Sequence, residues 1–85
     1  MQPVTIYTTL VCPYCTSAKE LFRSLGIEYK EVRLDTNPEL RMKLSAENKG
    51  WRTVPMIFVG DTFLGGFDET SKLHSRGELL PLVGA

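Results

Sequence analysis

An excess of charge of one sign is missing from this chain: ten Lys plus Arg balance ten Asp plus Glu, and no basic cluster stands out. Nucleic-acid binding draws on a basic patch or stripe, so no nucleic-acid partner is expected. Long hydrophobic runs are missing as well. No segment approaches the ~20 apolar residues that a bilayer-spanning helix needs, and no membrane role is expected. Met1-Gln2-Pro3 leads directly into a strand-like segment, without the charged start and apolar run of a secretory leader. A cytoplasmic, reducing location is the resulting expectation. Internal repeats, linkers and low-complexity stretches are also lacking. Eighty-five residues are few for two ordinary domains, so residues 1–85 are expected to form one domain with one modest core.

Histidine and cysteine are scarce, at one and two residues. A structural zinc takes four ligands, and beyond the cysteines the remaining candidate, His74, is distant and unpaired, so no metal is expected. Permanent structural disulfides are unusual in a reducing compartment, which leaves a chemical reason for the two cysteines.

What is present is the composition of an ordinary globular protein, with 42% hydrophobic and 24% charged residues, which argues against disorder. Val4 to Thr9 is β-branched and aromatic with alternating character and reads as a strand. Pro13 suits the first position of a following helix, in which Ala18, Leu21, Phe22 and Leu25 recur at helical spacing and Gly26 supplies the stop. Ile27 to Leu34 alternates again and is expected to be a second strand. The capping residues Asp35-Thr36-Asn37, followed by Pro38 and Glu39, start a second helix that ends near Asn48-Lys49-Gly50. Val54 to Val59 forms a strand with Pro55 near its start, and Gly60-Asp61 turns it back into Thr62-Phe63-Leu64. Asp68-Glu69-Thr70 begins a third helix through Leu73, and Glu78 to Leu82 adds a last helical turn. The order is β-α-β-α-β-β-α. A strand-helix-strand unit requires a parallel pair and a tight hairpin an antiparallel one, so the expected fold is α/β with a four-stranded mixed sheet flanked by three or four helices.

The most informative stretch is Cys12-Pro13-Tyr14-Cys15. Two thiols three residues apart at a helix start share one face within bonding reach and can close a disulfide reversibly. Cys12 occupies the cap, where free amides and the positive end of the helix dipole favour the thiolate, the nucleophilic form. Cys15 lies inside the first turn and is better placed to resolve a mixed disulfide than to attack first. Half of a zinc site and a pair of inert buried cysteines are the structural alternatives.

Cys12-Pro13-Tyr14-Cys15 after a first strand, Thr53-Val54-Pro55 before a third and Gly65-Gly66-Phe67-Asp68 before a late helix together resemble a dithiol glutaredoxin over essentially the whole chain. The resemblance implies a thioredoxin fold and a glutathione-dependent thiol-disulfide oxidoreductase acting in electron transport and cell redox homeostasis. Cys12 is then the attacking thiol and Cys15 the resolving one. It also implies a monomer with no tightly bound cofactor, which takes glutathione as co-substrate and glutathionylated or disulfide-containing proteins as partners. Tyr14, Arg41, Thr53, Val54, Pro55, Gly66, Phe67 and Asp68 become the expected glutathione-binding residues.

Each has a physical reading beside that implication. By resemblance Val54-Pro55 is cis, which turns the Val54 amide and carbonyl toward an extended cysteinyl substrate; an ordinary trans edge proline is the alternative. Free amides at Gly66-Phe67-Asp68 suit a carboxylate and the Asp68 side chain suits an ammonium, although Asp68 as a simple helix cap is the structural alternative. By resemblance Arg41, helped by Arg52, faces the glycyl carboxylate; a solvated surface arginine is the alternative. Trp51 is either a substrate platform or a packing residue. Tyr7, Phe22 and Phe58 read as core, and His74 as an ordinary helix residue. The chain departs from the family pattern at Thr9, where many glutaredoxins carry Lys, so Cys12 loses a nearby positive charge. The rival implied outside enzymes is an iron-sulfur carrier sharing a cluster between Cys12 and glutathione across a dimer, against which Pro13 argues by resemblance. Within enzymes, the rival is a redoxin reduced by a flavoprotein or another small thiol.

Overall fold

The computed structural model describes residues 2–84. Its elements run β1 (Val4–Thr8), α1 (Pro13–Ser24), β2 (Lys30–Arg33), α2 (Pro38–Glu47), β3 (Met56–Val59), β4 (Thr62–Gly65), α3 (Phe67–Ser75) and α4 (Leu79–Val83). The four strands make one sheet in the order β2-β1-β3-β4. β1 pairs parallel with β2 and antiparallel with β3, and β4 pairs antiparallel with β3. The mixed sheet follows as expected from a helical crossover at the front and a tight hairpin at the back.

The period of two along β1 buries Val4, Ile6 and Thr8 on one face and turns Tyr7 to the other. On the first face Val4, Ile6, Ile57 and Val59 meet Ala18 and Phe22 of α1 and Leu79 and Val83 of α4. Phe22 is fully buried at the centre of this layer, a contribution of roughly 1.5–3 kcal/mol from the transfer of its ring alone. On the second face Met56 meets Leu44 of α2 and Leu34, with Tyr7, Phe58, Phe63 and Trp51 packed around them. α2 therefore covers one side of the sheet and α1, α3 and α4 the other.

The expected second strand is shorter than its alternation suggested. Ile27 belongs to the end of α1 instead: Gly26 takes φ 70°, the Ile27 amide donates to the Phe22 carbonyl at 2.9 Å, and the Gly26 amide to Arg23 at 3.1 Å. This is a helix stop in which Gly adopts the left-handed conformation and the next apolar residue packs back onto the core. Pairing begins at Lys30, opposite Thr5. The third strand likewise begins at Met56 rather than Val54, because Pro55 has no N-H to give the ladder. α3 starts one residue before the expected Asp68, and α4 occupies Leu79–Val83 in place of Glu78 to Leu82. Asn37 is the capping residue of α2, its side-chain oxygen accepting from the Leu40 amide at 3.1 Å.

Candidate active site

β1 runs through the middle of the sheet and ends at Thr8, so the residues that follow emerge at the carboxyl end of that strand and feed α1. Cys12 is the N-cap of α1, with φ −153° and ψ 96°, and Pro13 takes the first helical position. In this extended conformation the Cys12 Sγ accepts a hydrogen bond from the Cys15 amide at 3.1 Å. A side-chain acceptor at this point satisfies one of the orphan amides that open every helix, so a sulfur here does the work usually given to Ser or Asp.

Cys12 and Cys15 are joined in a disulfide, with Cα atoms 5.2 Å apart. Their exposure differs. Cys15 is buried, at 2%, whereas Cys12 is half-buried. The Cys12 Sγ lies 3.7 Å from the Val54 carbonyl oxygen. In the disulfide this sulfur carries no hydrogen, and in the dithiol the same approach lets the thiol donate to that carbonyl. The Val54–Pro55 peptide is cis.

The segment before Cys12 is held from β2. The Leu34 amide donates to the Thr8 carbonyl at 2.8 Å, and the Leu10 amide donates to Asp35 Oδ2 at 2.7 Å. Arg33 Nε donates to the other Asp35 oxygen at 2.8 Å. The Arg33 guanidinium and then the Leu10 amide pull the Asp35 carboxyl down to a pKa of about 2. Beneath this loop the buried Thr8 hydroxyl donates to Glu31 at 2.7 Å, and Lys19 of α1 pairs with the same carboxylate oxygen at 3.1 Å. The Thr8 hydroxyl first, and Lys19 with it, keeps Glu31 below the usual carboxylate range.

A cleft of about 300 Å³ opens beside the disulfide and is lined by Tyr14, Trp51, Thr53, Val54, Pro55, Gly66, Phe67, Asp68 and Glu69. Every residue expected at the glutathione site lines it except Arg41. Tyr14 and Phe67 stack with ring centroids 6.3 Å apart and form one wall. Gly65 turns the chain into α3 at φ 103°, a conformation that favours glycine, and an added Cβ would press on the Glu69 side chain at 3.0 Å. Gly66 caps α3, and its amide donates to Glu69 Oε1 at 2.9 Å.

Glu69 thus performs the capping that Asp68 was a candidate for. Asp68 is exposed, and its carboxylate has no hydrogen-bond partner among the described residues. The amides of the first turn of α3 point out of the helix start without intrahelical acceptors. Arg41 lies elsewhere: its Nη2 donates to the Arg52 carbonyl at 3.1 Å, and it borders a second groove with Pro38, Met42 and Arg52. Trp51 separates the two grooves. It both lines the cleft and packs edge-on against Phe63 at 5.3 Å, as its reading as a packing residue expects.

Two residues of this site went unread in the sequence. Glu69 follows Gly66 at the spacing of the back half of a capping box, which is a legible signal. Asp35 reads as part of a helix start, and nothing local announces that its side chain reaches across to Leu10.

Residues 4–64 match the family model described as Glutaredoxin. The chain belongs to the glutaredoxin family. It is 45% identical over 85 residues to a protein of Pseudomonas aeruginosa named glutaredoxin, covering 100% of both chains. It is 46% identical to one from Ricinus communis, over 94% of this chain and 80% of that one. Among solved structures, a buckwheat glutaredoxin-glutathione complex superposes with a TM-score of 0.89 at 32% identity, covering 96% of this chain and 76% of that one. A Brucella melitensis glutaredoxin follows with a TM-score of 0.84 at 39% identity, over 100% and 94% of the two chains. As a glutaredoxin the protein is an enzyme of the thiol-disulfide oxidoreductase class, with the thioredoxin fold and a redox-active Cys12–Cys15 pair.

The Asp35 anchor gives this glutaredoxin an acid-sensitive loop. A carboxyl held below its ordinary value contributes stability that is present above that value and is lost as pH falls through its folded pKa, here from about 3.8 toward about 2. Asp35→Asn keeps an oxygen for the Leu10 amide but cannot titrate. Urea unfolding midpoints of the variant should therefore fall less steeply than those of the parent across this acid window, by a small, salt-screened amount. Equal slopes would contradict the anchor.

Proposed function

We propose that the protein reduces glutathionylated proteins and protein disulfides at the expense of glutathione, with Cys12 as nucleophile and Cys15 as resolving thiol. The observation that carries this reading is the pair of exposures at the disulfide: the capping Cys12 sulfur can be reached, whereas Cys15 is shut in by its helix. The Cys15 amide at 3.1 Å supplies a donor to a Cys12 thiolate as well as to the disulfide sulfur. The cleft alongside offers the Asp68 carboxylate, the start of α3 and the Val54 backbone, which suit the γ-glutamyl and cysteinyl parts of glutathione, and the buckwheat relative is a complex with glutathione.

In the monothiol route the Cys12 thiolate attacks the glutathione sulfur of a protein-glutathione mixed disulfide. The bond to the protein sulfur breaks, and the protein thiolate leaves and takes a proton from solvent. A second glutathione thiolate then attacks the sulfur of the Cys12-bound glutathione, releasing glutathione disulfide and restoring the Cys12 thiolate. The net reaction consumes one free glutathione, whose sulfur joins the glutathione already held in the mixed disulfide to give glutathione disulfide, while the protein cysteine is released as a thiol. With a protein disulfide, Cys12 is left joined to the substrate and the Cys15 thiolate displaces it, forming the Cys12–Cys15 disulfide that two glutathiones reduce.

Backbone groups of Val54 pair with the cysteinyl part of glutathione beside Pro55 and Thr53. The free amides at the start of α3, at Phe67 and Asp68, receive the γ-glutamyl carboxylate over Gly66, whose own amide is given to Glu69, and the Asp68 carboxylate receives the ammonium. Tyr14 and Phe67 supply apolar walls. Arg41 reaches the glycyl carboxylate by leaving the Arg52 carbonyl, which makes its contribution smaller than that of Asp68. The protein acts as a monomer, with residues 1–85 as one domain, in a reducing compartment, for which the cytoplasm is proposed.

Turnover of a glutathionylated peptide and of a protein disulfide by two variants tests this assignment. Cys12→Ser should abolish both activities, and Cys15→Ser should keep the first and lose the second. Equal loss of deglutathionylation in both variants would contradict the monothiol route. Asp68→Ala should raise the glutathione concentration needed for half-maximal rate by about tenfold, the scale of one lost charge-assisted contact, without changing unfolding. An unchanged glutathione dependence would remove Asp68 from the site.

A further inference from the structure

Four large apolar side chains of the described residues are more than 60% exposed; Met42 stands apart on α2, and the other three adjoin Cys12. Val11 is 87% exposed and Leu10 72%, and both lead directly into Cys12. Tyr14, 62% exposed, stands on the other side of the same cysteine. Isolated surface leucines need no explanation, but an apolar pair adjoining a reactive sulfur is a different arrangement.

The pair is held outward. The Leu10 amide is fixed to Asp35 at 2.7 Å, the preceding Thr8 carbonyl accepts from Leu34 at 2.8 Å, and Cys12 is locked into the α1 cap. With its backbone tied at both ends, the loop cannot fold Leu10 and Val11 back toward the core. The segment itself carries no charge: the first eighteen residues contain no Asp, Glu, Lys, Arg or His. The nearest anchored charge, Asp35, is neutralised by Arg33.

We propose that Leu10 and Val11 form a docking rim for protein substrates, selecting polypeptides that carry apolar side chains beside the cysteine to be reduced. The occupant follows from the chemistry, since a polypeptide whose sulfur exchanges with Cys12 has to bring its flanking residues over this rim. Neither residue lines the cleft, so the glutathione and polypeptide arms of one mixed disulfide have separate surfaces. The inference rests on the reading of Cys12 as the attacking thiol.

The double variant Leu10→Ser/Val11→Ser tests it, because it removes the apolar side chains and keeps the Leu10 amide for Asp35. The substrates are a glutathionylated peptide with Leu on both sides of its cysteine, the same peptide with Ser there, and hydroxyethyl disulfide. The parent should prefer the Leu peptide in kcat/KM, at low and high salt alike, and the variant should lose about tenfold on that peptide, equivalent to roughly 1.4 kcal/mol. Turnover of the Ser peptide and of hydroxyethyl disulfide should stay unchanged. A retained preference in the variant, or an equal loss on all three substrates, would overturn the proposal. A parent that elutes as a dimer and a variant that elutes as a monomer would overturn it too, by giving the rim to a second copy. Failure of the glutathione reading is distinct, since it would appear as a parent inactive on hydroxyethyl disulfide.

Discussion

The contact between the Cys15 amide and the Cys12 sulfur, at 3.1 Å, is the interaction on which the rest depends. A helix start leaves amides without partners, and a side chain at the cap has to answer one of them. Using cysteine for this gives the helix a poorer cap than Ser or Asp, but it gives the sulfur a fixed donor and the field of the helix terminus. Structural need and chemical use converge on one atom. The same start forces the second cysteine one turn in, where packing against the core denies it solvent. The difference in exposure between two otherwise identical side chains is therefore a consequence of where each stands on α1.

The remaining elements serve to hold that helix start and to furnish what faces it. β1 delivers the chain to the start of α1, and β2 pins the delivery loop through Leu34 and Asp35. Pro55 ends the β3 ladder early and brings the Val54 carbonyl to 3.7 Å from the Cys12 sulfur. α3 turns its capped N-terminus into the cleft, with Glu69 occupied by the Gly66 amide and Asp68 exposed beside it. Two carboxylates adjacent in sequence thus have separate duties. With Thr9 in place, the loop before Cys12 carries no charged side chain.

Most of this was legible in the residues. The period-two pattern of β1, the period of α1 and the Gly60-Asp61 turn specified a mixed four-stranded sheet, and the cysteine spacing specified a redox pair. The errors have physical causes. Ile27 continued the alternation of the second strand, but its apolar side chain serves the helix stop at Gly26, a use that periodicity does not distinguish from a strand. Arg41, which the resemblance places at the glycyl carboxylate, is bonded to the Arg52 carbonyl in the neighbouring groove, a contact that no local pattern indicates. The Asp35 anchor depends on a contact between positions 25 residues apart, which local pattern cannot announce.

The central claim is that the helix start, and not a neighbouring cation, makes Cys12 a thiolate. Its most direct measurement is the rate of alkylation of Cys12 against pH in the reduced Cys15→Ser protein, where Cys12 is the sole thiol. The expected midpoint lies at least one pH unit below the value of about 8.5 for a free cysteine and moves little with added salt, since the donor is a fixed amide. A midpoint at the free-cysteine value would contradict it.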